Sequence, residues 1–141
     1  MKTLIVEDDA TNRQMLVEFL SQYGPVHEAA NGFAALDLFT EAHNQGSPFN
    51  LVCLDIMMPD LDGQKTLKEI REIETDRDIA SAEIVKVIML TGLIDKENIT
   101  TAFIDGGCHA YLTKPVTTKE IISQLEELEL IEPQAKTSNG P

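Results

Sequence analysis

The chain has 141 residues, 43% of them apolar and 25% charged, which is enough polypeptide for one domain with a proper core and too apolar for a disordered chain. Against 11 basic residues stand 24 acidic ones, a net charge of −13, and so acidic a surface repels nucleic acid and anionic lipid. No apolar run approaches the roughly 20 residues of a membrane span, and the N-terminal stretch turns acidic at Glu7, so no signal-peptide core is expected there.

Thr3 to Val6 is a short apolar run and predicts a strand. Met15, Leu16, Phe19, Leu20 and Tyr23 then recur at helical spacing, so Thr11 to Tyr23 predicts a helix. Gly24-Pro25 stops it, with Gly24 as a left-handed cap. Val26 to Ala30 is a weak second strand, and Asn31-Gly32 reads as a turn. Ala35, Phe39 and Ala42 mark one face of a second helix. Asn50 to Leu54 is apolar without alternation, the pattern of a strand buried on both faces, and it ends on Asp55. Leu67, Ile70 and Ile73 place a third helix between Gly63 and Glu74, followed by a polar loop from Glu74 to Glu83. Ile84 to Leu90 is a buried strand ended by Thr91-Gly92. Ile99, Ala102 and Phe103 predict a fourth helix, a poor one because of Thr100 and Thr101, and Gly106-Gly107 closes it with a turn. His109 to Leu112 is the last strand, and Ile121, Leu125 and Leu128 mark a fifth helix. Residues Glu132 to Pro141 predict a disordered polar tail after a single domain of residues 1–131.

Apolar strands alternating with helices predict an α/β fold: five βα units around a parallel sheet covered on both faces. Right-handed crossovers favour the doubly wound, flavodoxin-like order 2-1-3-4-5. In that order the first and third strands are neighbours, and the ligand crevice lies at their carboxyl ends.

The chemistry collects at those ends. Glu7, Asp8 and Asp9 follow the first strand, Asp55 ends the third, Thr91 the fourth, and Thr113-Lys114-Pro115 the fifth. Two carboxylates about 4 Å apart repel by roughly 4 kcal/mol at an effective dielectric near 20. Such a cluster needs a proton or a cation, and carboxylate oxygens suit Mg²⁺. A bound flavin phosphate would need an amide-lined loop after the first strand; Glu7-Asp8-Asp9 would repel it. Asp9 reads as a cap of the first helix. Asp60-Leu61-Asp62-Gly63 is a turn after Pro59 rather than a metal-binding D-x-D. His27, His43 and His109 lack partners at ligand spacing and read as structural. Cys53 and Cys108 read as core fillers in a reduced, cytoplasmic setting.

Four segments, Leu4-Ile5-Val6-Glu7-Asp8-Asp9, Leu54-Asp55-Ile56-Met57-Met58-Pro59-Asp60-Leu61-Asp62-Gly63, Met89-Leu90-Thr91-Gly92 and Tyr111-Leu112-Thr113-Lys114-Pro115, together resemble the receiver domain of two-component response regulators. The resemblance implies that Asp55 accepts a phosphoryl group from the phosphohistidine of a histidine kinase or histidine phosphotransfer protein. It implies a Mg²⁺ ion held by Glu7, Asp8, Asp55 and the Met57 backbone carbonyl, with Asp8 in direct contact. It implies that the Thr91 hydroxyl and the Lys114 ammonium meet the phosphoryl oxygens, and that the Lys114–Pro115 bond is cis. Tyr111 is either a half-buried strand aromatic or the family's rotameric switch.

Each role has a physical reason besides. Attack by a carboxylate on phosphorus gives an acyl phosphate, and Asp55 must be exposed for an incoming phosphoimidazole to reach it. Mg²⁺ and Lys114 spread the charge of a loose transition state, and Thr91 adds a donor without charge. Gly92 departs from the alanine common in the family and would loosen the segment that moves. The resemblance implies that Met57 and Leu93 flank the phosphoryl position; both are apolar, so neither could hold a hydrolysing water.

The expectation is a stand-alone receiver, a phosphorylation-controlled switch without an enzymatic or DNA-binding output module, signalling through a protein target. Thr91 and Tyr111 would be its bistable elements, and the fourth helix with its flanking loops the moving surface. The rival reading is a Mg²⁺-dependent phosphatase or phosphotransferase of small molecules; a phosphate-independent pseudo-receiver is a third. The intact Asp8, Asp55, Thr91 and Lys114 speak against the last.

Overall fold

All five expected strands form: β1 (Thr3–Val6), β2 (Val26–Ala29), β3 (Leu51–Asp55), β4 (Lys86–Thr91) and β5 (Ala110–Thr113). The computed structural model describes residues 1–58, 61–92 and 107–133. The strands pair in parallel in the order β2-β1-β3-β4-β5, as expected. β1 and β3 are buried at every position, which is why neither alternates. β2 buries only Ala29 fully; an edge strand needs less apolar sequence, and its signal is correspondingly weak.

Four α-helices lie within the described residues: α1 (Ala10–Leu20), α2 (Gly32–Asn44), α3 (Gly63–Asp76) and α4 (Thr118–Glu127). Successive strand residues point to opposite faces, and this sorts the core into two layers. Leu4, Val6, Val52, Leu54, Val87 and Met89 meet Ala35 and Phe39 of α2 and Leu67 and Ile70 of α3. Ile5, Leu51, Cys53, Ile88, Leu90 and Leu112 meet Leu16 and Leu20 of α1 and Ile121 and Leu125 of α4. Both cysteines are buried and free.

Each of these helices opens on a capping side chain that accepts from a first-turn amide: Asp9, Asn31, Asp62 and Thr117. Thr117 and Glu120 form a reciprocal capping box. Asp9 and Asp62 are therefore the cap and the helix-entry turn expected. Asn31-Gly32 is not a free turn: Asn31 caps α2, and Gly32 is its first residue. Gly24 is not a left-handed helical cap either. Its φ of 146° and ψ of −172° are extended backbone of the mirror sense that only glycine enters freely, and a Cβ there would strike the Met1 carbonyl oxygen. A short 3₁₀ turn, Ser21–Tyr23, separates α1 from it.

Glu74 is the largest departure from the sequence expectation. It lies inside α3, 3% exposed, rather than opening a polar loop. Its Oε1 pairs with Arg71 Nη1 at 2.6 Å and its Oε2 accepts from the Val85 amide at 2.7 Å. The histidines are structural: His109 Nδ1 accepts from the Val87 amide at 3.2 Å, while His27 and His43 lie edge-on to Phe49 and Phe39. The expected fourth helix around Ile99, Ala102 and Phe103, and with it Leu93, Pro59, Asp60, Gly106 and the tail from residue 134, lies outside the described residues. No helix among the described residues is long and apolar enough to cross a membrane.

Candidate functional site

Parallel pairing aligns the carboxyl ends of the strands. Val6 pairs with Leu54, Asp55 with Leu90, and Thr91 with Thr113. Glu7, Asp55, Thr91 and Lys114 therefore come from four adjacent strands along one edge of the sheet. The backbone ladder continues past the strands, with the Ile56 amide on Leu90 O at 3.0 Å and the Lys114 amide on Thr91 O at 2.8 Å. This fixes where each side chain starts.

β5 and β1 are three strand steps apart, at about 4.8 Å per step. Two long side chains close that gap. Lys114 Nζ lies 2.9 Å from Glu7 Oε1 and 3.1 Å from Asp55 Oδ2. Glu7 is wholly buried and Asp55 is 3% exposed. Asp55 is thus not the open side chain expected at a strand end, and the Lys114 ammonium lies against one of its oxygens. Its other oxygen, Oδ1, accepts from the Met57 amide at 3.2 Å. The next backbone turn brings Gly63 N onto Ile56 O at 2.9 Å, and a Cβ on Gly63 would overlap the Asp55 carbonyl oxygen. Only glycine allows α3 to begin this close to Asp55.

The charge count at this edge does not close. Two buried carboxylates, Glu7 and Asp55, share one ammonium. Burial first, then the charge and hydrogen bond of Glu7, push the Asp55 carboxyl up to about 7, while Lys114 pulls it down without overcoming them. Burial works to lower Lys114, but its hydrogen bond to Glu7 and the Asp55 charge prevail, so its net direction is upward. The cluster lacks one positive charge, which a proton on Asp55 or a further cation would supply. Asp8, exposed, adds a third carboxylate, and one oxygen from each of Glu7, Asp8 and Asp55 lies within 4.8 Å of the others. Hard oxygen donors gathered on one side of an undercharged pocket fit a divalent cation such as Mg²⁺.

Thr91 is buried, with its hydroxyl donating to the Gly92 carbonyl at 3.1 Å. Met57 is 60% exposed beside the cluster. Tyr111 is 42% exposed on β5, opposite Met89. The Lys114–Pro115 bond is cis. The structure thus brings Glu7, Asp8, Asp55 and Lys114 together, with Met57 and Thr91 alongside. It also shows one group that the motif reading missed. Arg13, in α1, donates from Nη1 to the Glu7 carbonyl at 2.7 Å. A lone cation in the first turns of a helix that follows three acids is the only sequence signal for it.

The comparisons with known proteins agree with this geometry. A family model described as the response regulator receiver domain matches residues 3–126. A protein of Porphyridium aerugineum described as "probable transcriptional regulator ycf27" is 34% identical over 142 residues, covering 99% of this chain and 53% of that protein. The peroxide stress-activated histidine kinase mak2 of Schizosaccharomyces pombe is 31% identical over 94% of this chain, which corresponds to 6% of that kinase. Among solved structures, a response regulator receiver domain protein from Clostridium thermocellum superposes with a TM-score of 0.73 at 29% identity, covering 92% of this chain and 97% of the other. The chain spans about half the length of the ycf27 proteins it matches, 43% to 53%. With the family model spanning most of the chain, and the four strand-end motifs meeting at one edge of a sheet of the expected order, this chain belongs to the response regulator receiver domain family.

Proposed function

We propose that the chain is a phosphorylation-controlled switch in which Asp55 accepts one phosphoryl group from a phosphohistidine. The observation that carries this reading is the unbalanced pair: Glu7 and Asp55, both buried, share the single Lys114 ammonium. A buried carboxylate left one positive charge short is costly in a purely structural role. It is useful where a cation and then a phosphoryl group are to arrive.

In the proposed reaction an Asp55 oxygen attacks phosphorus in line, the P–O bond forms, and the P–N bond to the donor imidazole breaks. The imidazole leaves neutral when its other nitrogen already carries a proton. Glu7, Asp8, Asp55 and the Met57 carbonyl would hold Mg²⁺, which would supply charge neutralisation. Lys114, which shares its ammonium between Glu7 and Asp55, meets the phosphoryl oxygens as they arrive. Thr91, one strand over, offers a neutral donor, and its movement together with Tyr111 carries the change outward. The added phosphoryl brings about −1.5 to −2 charges.

The phosphodonor is a histidine kinase or a histidine phosphotransfer protein, a reading supported by the kinase among the relatives. The acidic surface favours protein targets over nucleic acid as the direct contact of this domain. The test is stoichiometry. Incubated with excess acetyl phosphate and Mg²⁺, the protein should take up one phosphoryl group per chain and leave an aryl phosphate unhydrolysed over many equivalents. Sustained turnover of the aryl phosphate would identify a phosphatase instead, and no uptake would identify a phosphate-independent receiver.

A further inference from the structure

Four separate contacts hold Glu7. Its amide donates to the Ala29 carbonyl at 3.0 Å, its Oε2 accepts from the Asp9 amide at 3.1 Å, and its Oε1 faces Lys114 at 2.9 Å. The fourth contact is to its backbone carbonyl, which accepts from Arg13 Nη1 at 2.7 Å. The same guanidinium donates from Nε to Glu28 Oε1 at 2.9 Å. Arg13 is 20% exposed at its side chain, and Glu28, on the edge strand β2, is 53% exposed.

The carbonyl contact matters because the peptide bond is planar. Fixing the direction of Glu7 O fixes the Glu7–Asp8 peptide plane and the position of the Asp8 Cα, while the Asp9 amide, held by Glu7 Oε2, restrains the backbone on the other side of Asp8. Asp8 is the exposed acid of the cluster and the one with least packing of its own to aim it. Arg13 is a suitable clamp. It stands on α1, whose cap, Asp9, is itself part of the acidic loop, accepting from the Thr11 and Asn12 amides at 2.8 and 3.1 Å. Loop and helix are thereby one unit. Its planar fork serves two acceptors at once, which a lysine ammonium on a flexible stem does not reproduce.

We propose that Arg13 is a positioning residue for the cation site and that Glu28, which touches none of the three acids, tunes cation affinity by holding the Arg13 fork in place. The inference rests on the reading that Glu7, Asp8 and Asp55 hold a divalent cation. Charge alone predicts the opposite sign for Arg13, because a guanidinium beside a cation site repels the cation, and its removal would tighten binding. A brace that only joins α1 to β2 would change melting temperature and leave cation affinity unmoved.

The test is Mg²⁺ alone, titrated into the unphosphorylated protein and followed at the Asp8 and Asp9 amides by nitrogen-15 NMR. The melting temperature of each variant is measured in chelator beside it. Arg13→Lys keeps the charge and loses the fork. It should weaken Mg²⁺ binding by about threefold to tenfold, at or below the low end of the range for groups that orient metal ligands directly. Glu28→Ala and Glu28→Gln remove the same negative charge, but glutamine keeps an acceptor for Arg13 Nε. The alanine variant should bind Mg²⁺ more weakly than the glutamine variant, and Arg13→Lys combined with Glu28→Ala should be no worse than Arg13→Lys alone. Equal affinities for the two Glu28 variants, which leave Arg13 in place and change only an exposed side chain, would overturn the proposal. So would wild-type affinity in Arg13→Lys. Absence of Mg²⁺ binding by the wild-type protein would overturn the cation reading itself, and this inference with it.

Discussion

Lys114 Nζ stands 3.1 Å from Asp55 Oδ2, and the same nitrogen also serves Glu7 at 2.9 Å. A single ammonium just after β5 thus reaches across β4 to two acids, one on β3 and one after β1. The arrangement neutralises only one of two buried negative charges. Burial first, and then the Glu7 charge, make Asp55 hold its proton to higher pH than an ordinary carboxylate, up to about 7.

That shift has a definite consequence for the metal-free protein. The unfolded chain releases the Asp55 proton near pH 3.9, so between that value and about 7 the folded state binds more protons than the unfolded one. Stability from this group is fully present below the unfolded pKa and is lost as pH rises through the folded one. Asp55→Asn, neutral throughout, lacks the effect. In chelator, raising the pH from 5 to 8 should lower the wild-type melting temperature relative to Asp55→Asn by about 3 °C or more. Parallel curves for the two proteins would contradict the charge count.

Adding a cation should reverse that loss. Mg²⁺ at millimolar concentration should raise the wild-type melting temperature at pH 8, because it meets the three acids only when they are folded together. Asp8→Asn should keep the fold and lose most of the gain. A thermal scan without any Mg²⁺-dependent shift in the wild-type protein would refute the cation site.

Sheet order, strand positions and the acids at the strand ends were legible because each is a local signal. Apolar runs such as Leu51 to Leu54 end directly on the chemistry-bearing residue, and parallel pairing does the rest. What the sequence did not show depends on side-chain contacts that no apolar pattern marks. Asn31 and Gly32 look like a turn until α2 is seen to start there. Glu74 looks like a loop residue because the Val85 amide that it accepts from is a tertiary partner, and its Arg71 pair one turn back carries no apolar signal. Asp55 reads as exposed at a strand end, whereas in the fold it is buried, with a lysine 59 positions later against it. Arg13 belongs to the same class, since nothing local distinguishes a cation that grips a carbonyl from one that faces water.

The Glu74 network makes its own prediction. Arg71 also donates to Val85 O at 3.1 Å and to Gly107 O at 2.8 Å, tying α3 to the entries of β4 and β5. Glu74→Ala leaves a largely buried guanidinium without its counter-ion and the Val85 amide without its acceptor. Urea denaturation should show a loss of about 3 kcal/mol or more. A loss under about 1 kcal/mol would mean that the pair is solvated in solution.

Met57 bears on how long a phosphoryl group would last. Its side chain, 60% exposed beside Asp55, is apolar and cannot hold a water in line with phosphorus. Leu93 carries the same expectation from the sequence. Self-dephosphorylation should therefore be slow for a receiver, suiting a relay or a sustained signal. Met57→Asn with Leu93→Glu should accelerate it, measured as loss of phosphoprotein after the donor is removed in excess Mg²⁺. A double variant no faster than wild type would show that these side chains do not govern water access.

The most direct test of the account is the intact mass of the protein after exposure to acetyl phosphate with Mg²⁺. A single phosphoryl addition is expected, absent in Asp55→Ala and absent in chelator. Equal labelling of Asp55→Ala would contradict it, because the phosphoryl group would then reside on some other residue than the buried carboxylate that Lys114 and Glu7 surround.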